Sequence, residues 1–71
     1  MRPNIKALII LLNEEFRGNQ SAMARAFGVS KEHVYRVLKS NGVGAGAIFC
    51  GGVIKWCNDN GRDYNDYIFL K

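Results

Sequence analysis

Within six residues the chain sets two cations, a carboxylate and an imidazole: Lys31, Glu32, His33 and Arg36. Lysine and arginine can donate to the O6 and N7 acceptors of guanine, a carboxylate can accept from N4 of cytosine, and all of the donors can meet phosphate. Glu32 has a second reading, as the acidic partner of a helix N-terminus or of Arg36 four residues on. His33 either bonds a base or a phosphate or is a satisfied surface histidine. Bond-breaking chemistry has less to work with. His33 is the only histidine, no Cys or Ser lies at a spacing that suggests an activated nucleophile, and Asp59, Asp63 and Asp66 fall in an expected loop and cap rather than a cleft. No enzyme and no small-molecule substrate is expected.

The segments around these residues read as short helices. Asn19 is a good N-cap for a helix from Gln20 to about Phe27, and Gly28 stops it as a residue tolerant of positive φ. Ser30 caps the next helix, Lys31 to about Lys39, whose apolar stripe is Val34, Val37 and Leu38. Upstream, Arg2-Pro3-Asn4 looks like a helix start. Ile5, Leu8, Ile9, Leu12 and Phe16 then recur every three or four residues, widened by Ile10 and Leu11 into a mostly buried first helix ending near Gly18.

Downstream, Ser40 to Gly46 (SNGVGAG) is a loop; it lacks the preceding strand and following Lys-Ser/Thr of a phosphate-binding loop. Ala47 to Asn58 fits a buried helix stopped by Asn60-Gly61, although Gly51-Gly52 also suits a hairpin turn between IFC and VIKW. The helix is preferred, because small residues let helices approach closely. Asp63 would cap a last short helix from Tyr64 to about Phe69. The expected fold is therefore all-α, a single compact bundle of about five short helices over residues 1–71.

Composition agrees with that size. At 71 residues, with 48% apolar and 23% charged residues, the chain is a small folding domain at the length where one core becomes marginal, so a dimer is plausible. Its apolar runs, Ala7 to Leu12 and Ala45 to Cys50, are too short to span a bilayer, and the first is followed by Asn13-Glu14-Glu15 rather than a signal cleavage site. A cytoplasmic chain is expected. Cys50 and Cys57, seven apart on one helix, would lie roughly 10.5 Å apart by the helical rise, beyond disulfide reach. With one His they cannot complete a usual zinc site, so free buried thiols, no metal and no cofactor are expected.

The net charge is +4, and its distribution says more than its size: residues 25–45 carry four basic groups and one acidic, residues 46–71 three of each. That pattern fits either a polyanionic partner or a solvated basic face.

Gln20, Ala24, Gly28, Val29, Val34 and Val37 together form a pattern that resembles the helix-turn-helix of the Cro and repressor family of phage and bacterial regulators. In this pattern a small residue sits where two helices cross, glycine makes the turn, and aliphatic residues hold the second helix. The resemblance implies that the helix of residues 31–39 enters the major groove of a double-stranded DNA operator while the helix before it crosses the backbone. It places Lys31, Glu32, His33 and Arg36 at base edges. Asn19, Gln20, Ser21, Arg25, Ser30, Tyr35, Lys39 and Asn41 fall where backbone contacts are made. Family members bind palindromic operators as symmetric dimers, so a homodimer is expected here, formed in solution or only on DNA, and the apolar tail Tyr67, Ile68, Phe69 and Leu70 either supplies its interface or closes the monomer core. The rival reading is a helical protein-interaction module, an adaptor or antitoxin-like inhibitor that keeps the hairpin as scaffold. Such a module would not need the basic cluster Arg25, Lys31, Arg36 and Lys39.

Overall fold

A computed structural model describes residues 1–70. It is mainly helical, with four α-helices and a small two-stranded sheet. In chain order these are β1 (Arg2–Pro3), α1 (Ile5–Glu15), α2 (Gln20–Phe27), α3 (Lys31–Lys39), α4 (Ala47–Asp59), a 3-10 turn (Tyr64–Asp66) and β2 (Ile68–Phe69).

The bounds of α2 and α3 are those expected, and the cause is local. The Asn19 side-chain oxygen accepts from Ala22 N–H at 3.1 Å and Ser30 Oγ accepts from His33 N–H at 3.1 Å, each satisfying a donor that the first helical turn leaves free. Between them Gly28 is left-handed at φ 72°. Its N–H donates to Arg25 O at 3.3 Å and that of Val29 to Ala24 O at 3.0 Å, the paired bonds that close a helix on a left-handed residue. Three residues, Gly28 to Ser30, thus join α2 to α3.

The core is one cluster. Leu8 and Leu11 of α1, Met23 and Phe27 of α2, Val34 and Val37 of α3, and Phe49, Val53 and Cys57 of α4 meet with Ile68 of β2. Where α2 meets α4, the Phe27 ring is edge-on to Phe49 at 5.9 Å and to Phe16 at 6.2 Å, and Trp56 lies 5.6 Å from Phe16. The hairpin alternative for Gly51-Gly52 is not realised: both glycines are inside α4. At Gly52 the backbone of α2 comes so close that an added Cβ would fall on the Phe27 carbonyl.

Two expectations about the ends of the chain are corrected. The last helix, Tyr64 to Phe69, is a single 3-10 turn, capped by Asp63 as expected, and the residues after it are extended. Ile68 pairs with Pro3 and Phe69 with Arg2, antiparallel, and Asn4 N–H donates to Tyr67 O at 2.7 Å. A segment of six residues makes few intrahelical bonds against the cost of nucleating a helix, whereas β-branched and aromatic residues suit an extended pair with one buried position. Ile68 takes that position at 2% exposure; Phe69 and Leu70 are exposed and Tyr67 is half-buried, so only part of the expected interface is free. The fold is accordingly not purely α, and Arg2-Pro3 is strand, with Asn4 as the cap of α1.

The second correction concerns α1, which stops at Glu15 and is less buried than its composition suggests. Ile5, Leu8, Leu11 and Leu12 face the core, while Ile9 and Ile10 are 42% and 57% exposed. In a run of six apolar residues, periodicity cannot choose which arc faces inward. The choice is made by the packing of the other helices.

Cys50 and Cys57 are buried and unbonded, and burial pushes both thiols above their ordinary range. Because the thiolate is the reactive form, iodoacetamide should modify neither in the native protein over a time that labels the urea-unfolded chain completely. Rapid labelling of native protein, read by mass spectrometry, would mean that α4 is not seated in the core as described. No helix among the described residues is long and apolar enough to cross a membrane.

Candidate nucleic-acid interface

Helix α3 has one buried arc and one displayed arc. Val34 and Val37 are fully buried; at 100° per residue the opposite side carries Lys31, Glu32, Tyr35, Arg36 and Lys39, all exposed. Lys31, Glu32, Tyr35 and Arg36 line a shallow hollow of about 520 Å³ whose far wall is Gln20, the first residue of α2. The three-residue turn is what brings Gln20 there. It fixes the start of α2 beside the displayed arc of α3, so that Gln20 shares one surface with Lys31, Glu32, Tyr35 and Arg36.

Within that surface the side chains differ in freedom. Lys39 Nζ donates to Tyr35 Oη at 3.3 Å and lies 5.4 Å from the ring centroid, so the pair braces itself one helical turn apart. Among the described residues the one ion pair is Arg62 with Glu15, and neither Glu32 nor Arg36 is paired, so the Glu32–Arg36 pairing is not formed. Arg36 is central: it lines the hollow with Gln20 and two further ones on the side of Val43.

His33 stands apart from its three neighbours. It sits at the margin of the buried arc, half-buried, with its ring 5.5 Å from that of Phe49 on α4. It lines a separate small hollow with Arg36 and Val43. Asn19 and Ser30 spend a side-chain oxygen on their caps. Ser21 is half-buried, and Arg25, exposed on the last turn of α2, lines none of the hollows around Arg36. Asn41, left-handed at φ 57°, begins the loop after α3.

Charge is segregated by the fold. Of the six carboxylates only Glu32 lines the hollows around α3. Glu14 and Glu15 end α1, Asp59 ends α4, and Asp63 and Asp66 frame the 3-10 turn. Arg62 is drawn to that acidic side. Its guanidinium donates to Tyr67 Oη at 3.0 Å, pairs with Glu15 and lies 5.5 Å from the Trp56 ring; the Tyr67 bond first, and then Glu15, hold it above its ordinary pKa. On the displayed arc of α3 three cations, Lys31, Arg36 and Lys39, stand with one carboxylate.

Two cations that the local pattern did not single out join this side. Arg2 and Lys6 line a groove of about 420 Å³ together with Asn41 and Val43. No periodicity or motif could have found them, since the loop that meets them lies some 35 residues further along the chain. Among the described residues no group of three or more His, Cys, Asp or Glu is placed to hold a metal ion. Comparison with protein-family models, with curated proteins and with solved structures finds no match to this chain.

Proposed function

We propose that this protein is a sequence-specific DNA-binding regulator of the Cro and repressor kind, which sets α3 into the major groove of an operator. One observation carries the reading: the displayed arc of α3 presents Lys31, Arg36 and Lys39 with a single carboxylate, while the acidic groups collect elsewhere. A helix in this role needs to be narrow, rigidly held and basic on its outer side. The Schellman turn at Gly28 and the Ser30 cap supply the rigidity, and Ala24, whose carbonyl closes that turn, is buried at 3% exposure.

In this reading Arg36 and Lys31 donate to guanine edges and Glu32 discriminates by accepting from cytosine, at the cost of repulsion from phosphate. Gln20, Tyr35 and Lys39 meet the backbone and set the register. One domain covers one half-site, so a homodimer on a palindrome with half-sites about one helical turn apart completes the assembly. Met1 and Leu70, both exposed at the sheet end of the molecule, are apolar groups available for that contact.

A mobility-shift titration against DNA from upstream of the protein's own coding sequence, at two salt concentrations, tests the proposal. Selective binding that weakens with salt, with log K falling by about 0.9 per phosphate contact for each log unit of salt, is the expected result. Absence of binding at low salt would overturn it and favour the protein-interaction reading, for which exposed Ile9 and Ile10 would be the contact face.

A further inference from the structure

Lys6 lies in the first turn of α1, which contains no acidic residue. A cation there opposes the helix dipole, and helix stability gives no reason for it. Arg2 is held with its guanidinium carbon 5.3 Å from the Phe69 ring centroid. Stacking of that kind covers one face of the guanidinium and leaves its N–H edge free for an acceptor. Both side chains line the groove that ends on Asn41 and Val43.

This groove adjoins hollows on the surface of α3. Val43 is shared between it and two of the three hollows lined by Arg36, one of which also contains Lys39. The loop is locked onto the N-terminal strand: an added Cβ on Gly42 would meet Pro3 Cγ at 3.3 Å and Ile5 Cγ1 at 3.6 Å. Gly42 N–H also donates to Val37 O at 2.8 Å, tying the same loop to α3. Arg2 and Lys6 are therefore placed by the fold relative to α3 and do not sit on a free arm. Among the described residues no side-chain carboxylate lines the groove. Asp66 reaches this corner through its backbone carbonyl, which accepts from Asn4 Nδ2 at 3.3 Å.

We infer that Arg2 and Lys6, with Asn41, form a phosphate-binding extension of the α3 surface, which grips the DNA backbone beside the groove that α3 enters. The inference rests on the DNA-binding reading and adds two contacts to it. The occupant is a phosphodiester strand because the groove is open, carries two cations and no side-chain carboxylate among the described residues, and adjoins at Val43 the surface assigned to DNA.

The test is a fluorescence-anisotropy titration in rising KCl of the full chain and of Lys6→Gln, Arg2→Gln and the double variant. The probes are the upstream duplex and a scrambled duplex. Each neutralised contact should lower the slope of log K against log salt by about 0.9, so that the double variant loses about 1.8. Affinity should fall by the same factor on both duplexes, with selectivity unchanged. Lys6 makes no hydrogen bond or ion pair among the described residues, so Lys6→Gln separates phosphate contact from any loosening of the Arg2–Phe69 pair, and thermal melting checks that each variant folds. A wild-type slope retained by the folded variants overturns this inference while leaving DNA binding intact. Failure of the wild-type chain to bind either duplex at low salt overturns both.

Discussion

Gly52→Ala should destabilise the protein by about 3 kcal/mol, whereas the same change at its neighbour Gly51 should stabilise it. Intrinsic helix propensity makes alanine better than glycine by up to about 1 kcal/mol at an interior position, so both substitutions would gain if only α4 mattered. Gly51 has open space where a Cβ would go. At Gly52 the new methyl would sit on the Phe27 carbonyl oxygen, 3.0 Å from the carbonyl carbon and 3.3 Å from Phe27 Cβ. The obstacle is backbone at the end of α2, fixed by the bonds around Gly28 and by the Phe27 ring among Phe16, Phe49 and Trp56, so it cannot swing aside.

Relief requires α4 to move away from α2, opening the core. For a domain of this size 1 kcal/mol corresponds to roughly 4–8 °C in Tm, so thermal melts followed by circular dichroism should separate the two variants by well over 10 °C. A Gly52→Ala protein that melts with or above wild type would refute the close approach of the two helices.

Arg36→Ala should weaken binding to the preferred DNA site by about 1–3 kcal/mol, a loss of roughly 5- to 150-fold, and should relax base preference at one position. Arg36 is exposed, unpaired among the described residues and shared by three hollows on the displayed side of α3. Its removal takes little from the fold beyond a favourable charge in the last turn of α3, so Tm should barely change. Lys39→Ala is the contrast. A residue that meets phosphate should lose affinity on preferred and scrambled duplexes alike. Equal losses for Arg36→Ala on both duplexes, measured by competition binding, would remove its base-reading role.

The elements that carry these predictions differ in how far the sequence reveals them. For α2 and α3 the caps at Asn19 and Ser30 and the stop at Gly28 act within three or four residues, so the bounds follow from local chemistry, and with them the displayed arc of α3. Helix α4 was legible on a weaker ground, that a glycine inside a helix is worth its cost where another backbone passes close by; Gly52 fulfils it and Gly51 does not. For α1 the apolar run Ala7 to Leu12 offers more than one inward arc, and Ile9 and Ile10 are left outside. His33, which shares a stretch with Lys31 and Arg36, is turned toward Phe49 by its place at the edge of the buried arc.

By itself the sequence determined the turn between α2 and α3, the start and end of both helices, and the basic groups α3 displays, because those features depend on hydrogen bonds and periodicity spanning a few residues. Only the tertiary structure decided that the tail is a turn and a strand, that no side-chain carboxylate but Glu32 lines the hollows around Arg36, and that Arg2 and Lys6 lie beside Asn41. Each of those depends on partners tens of residues apart: Pro3 against Ile68, Glu15 against Arg62, Gly42 against Pro3. Local pattern cannot name such partners, since the pairing is selected by the shape of the whole core.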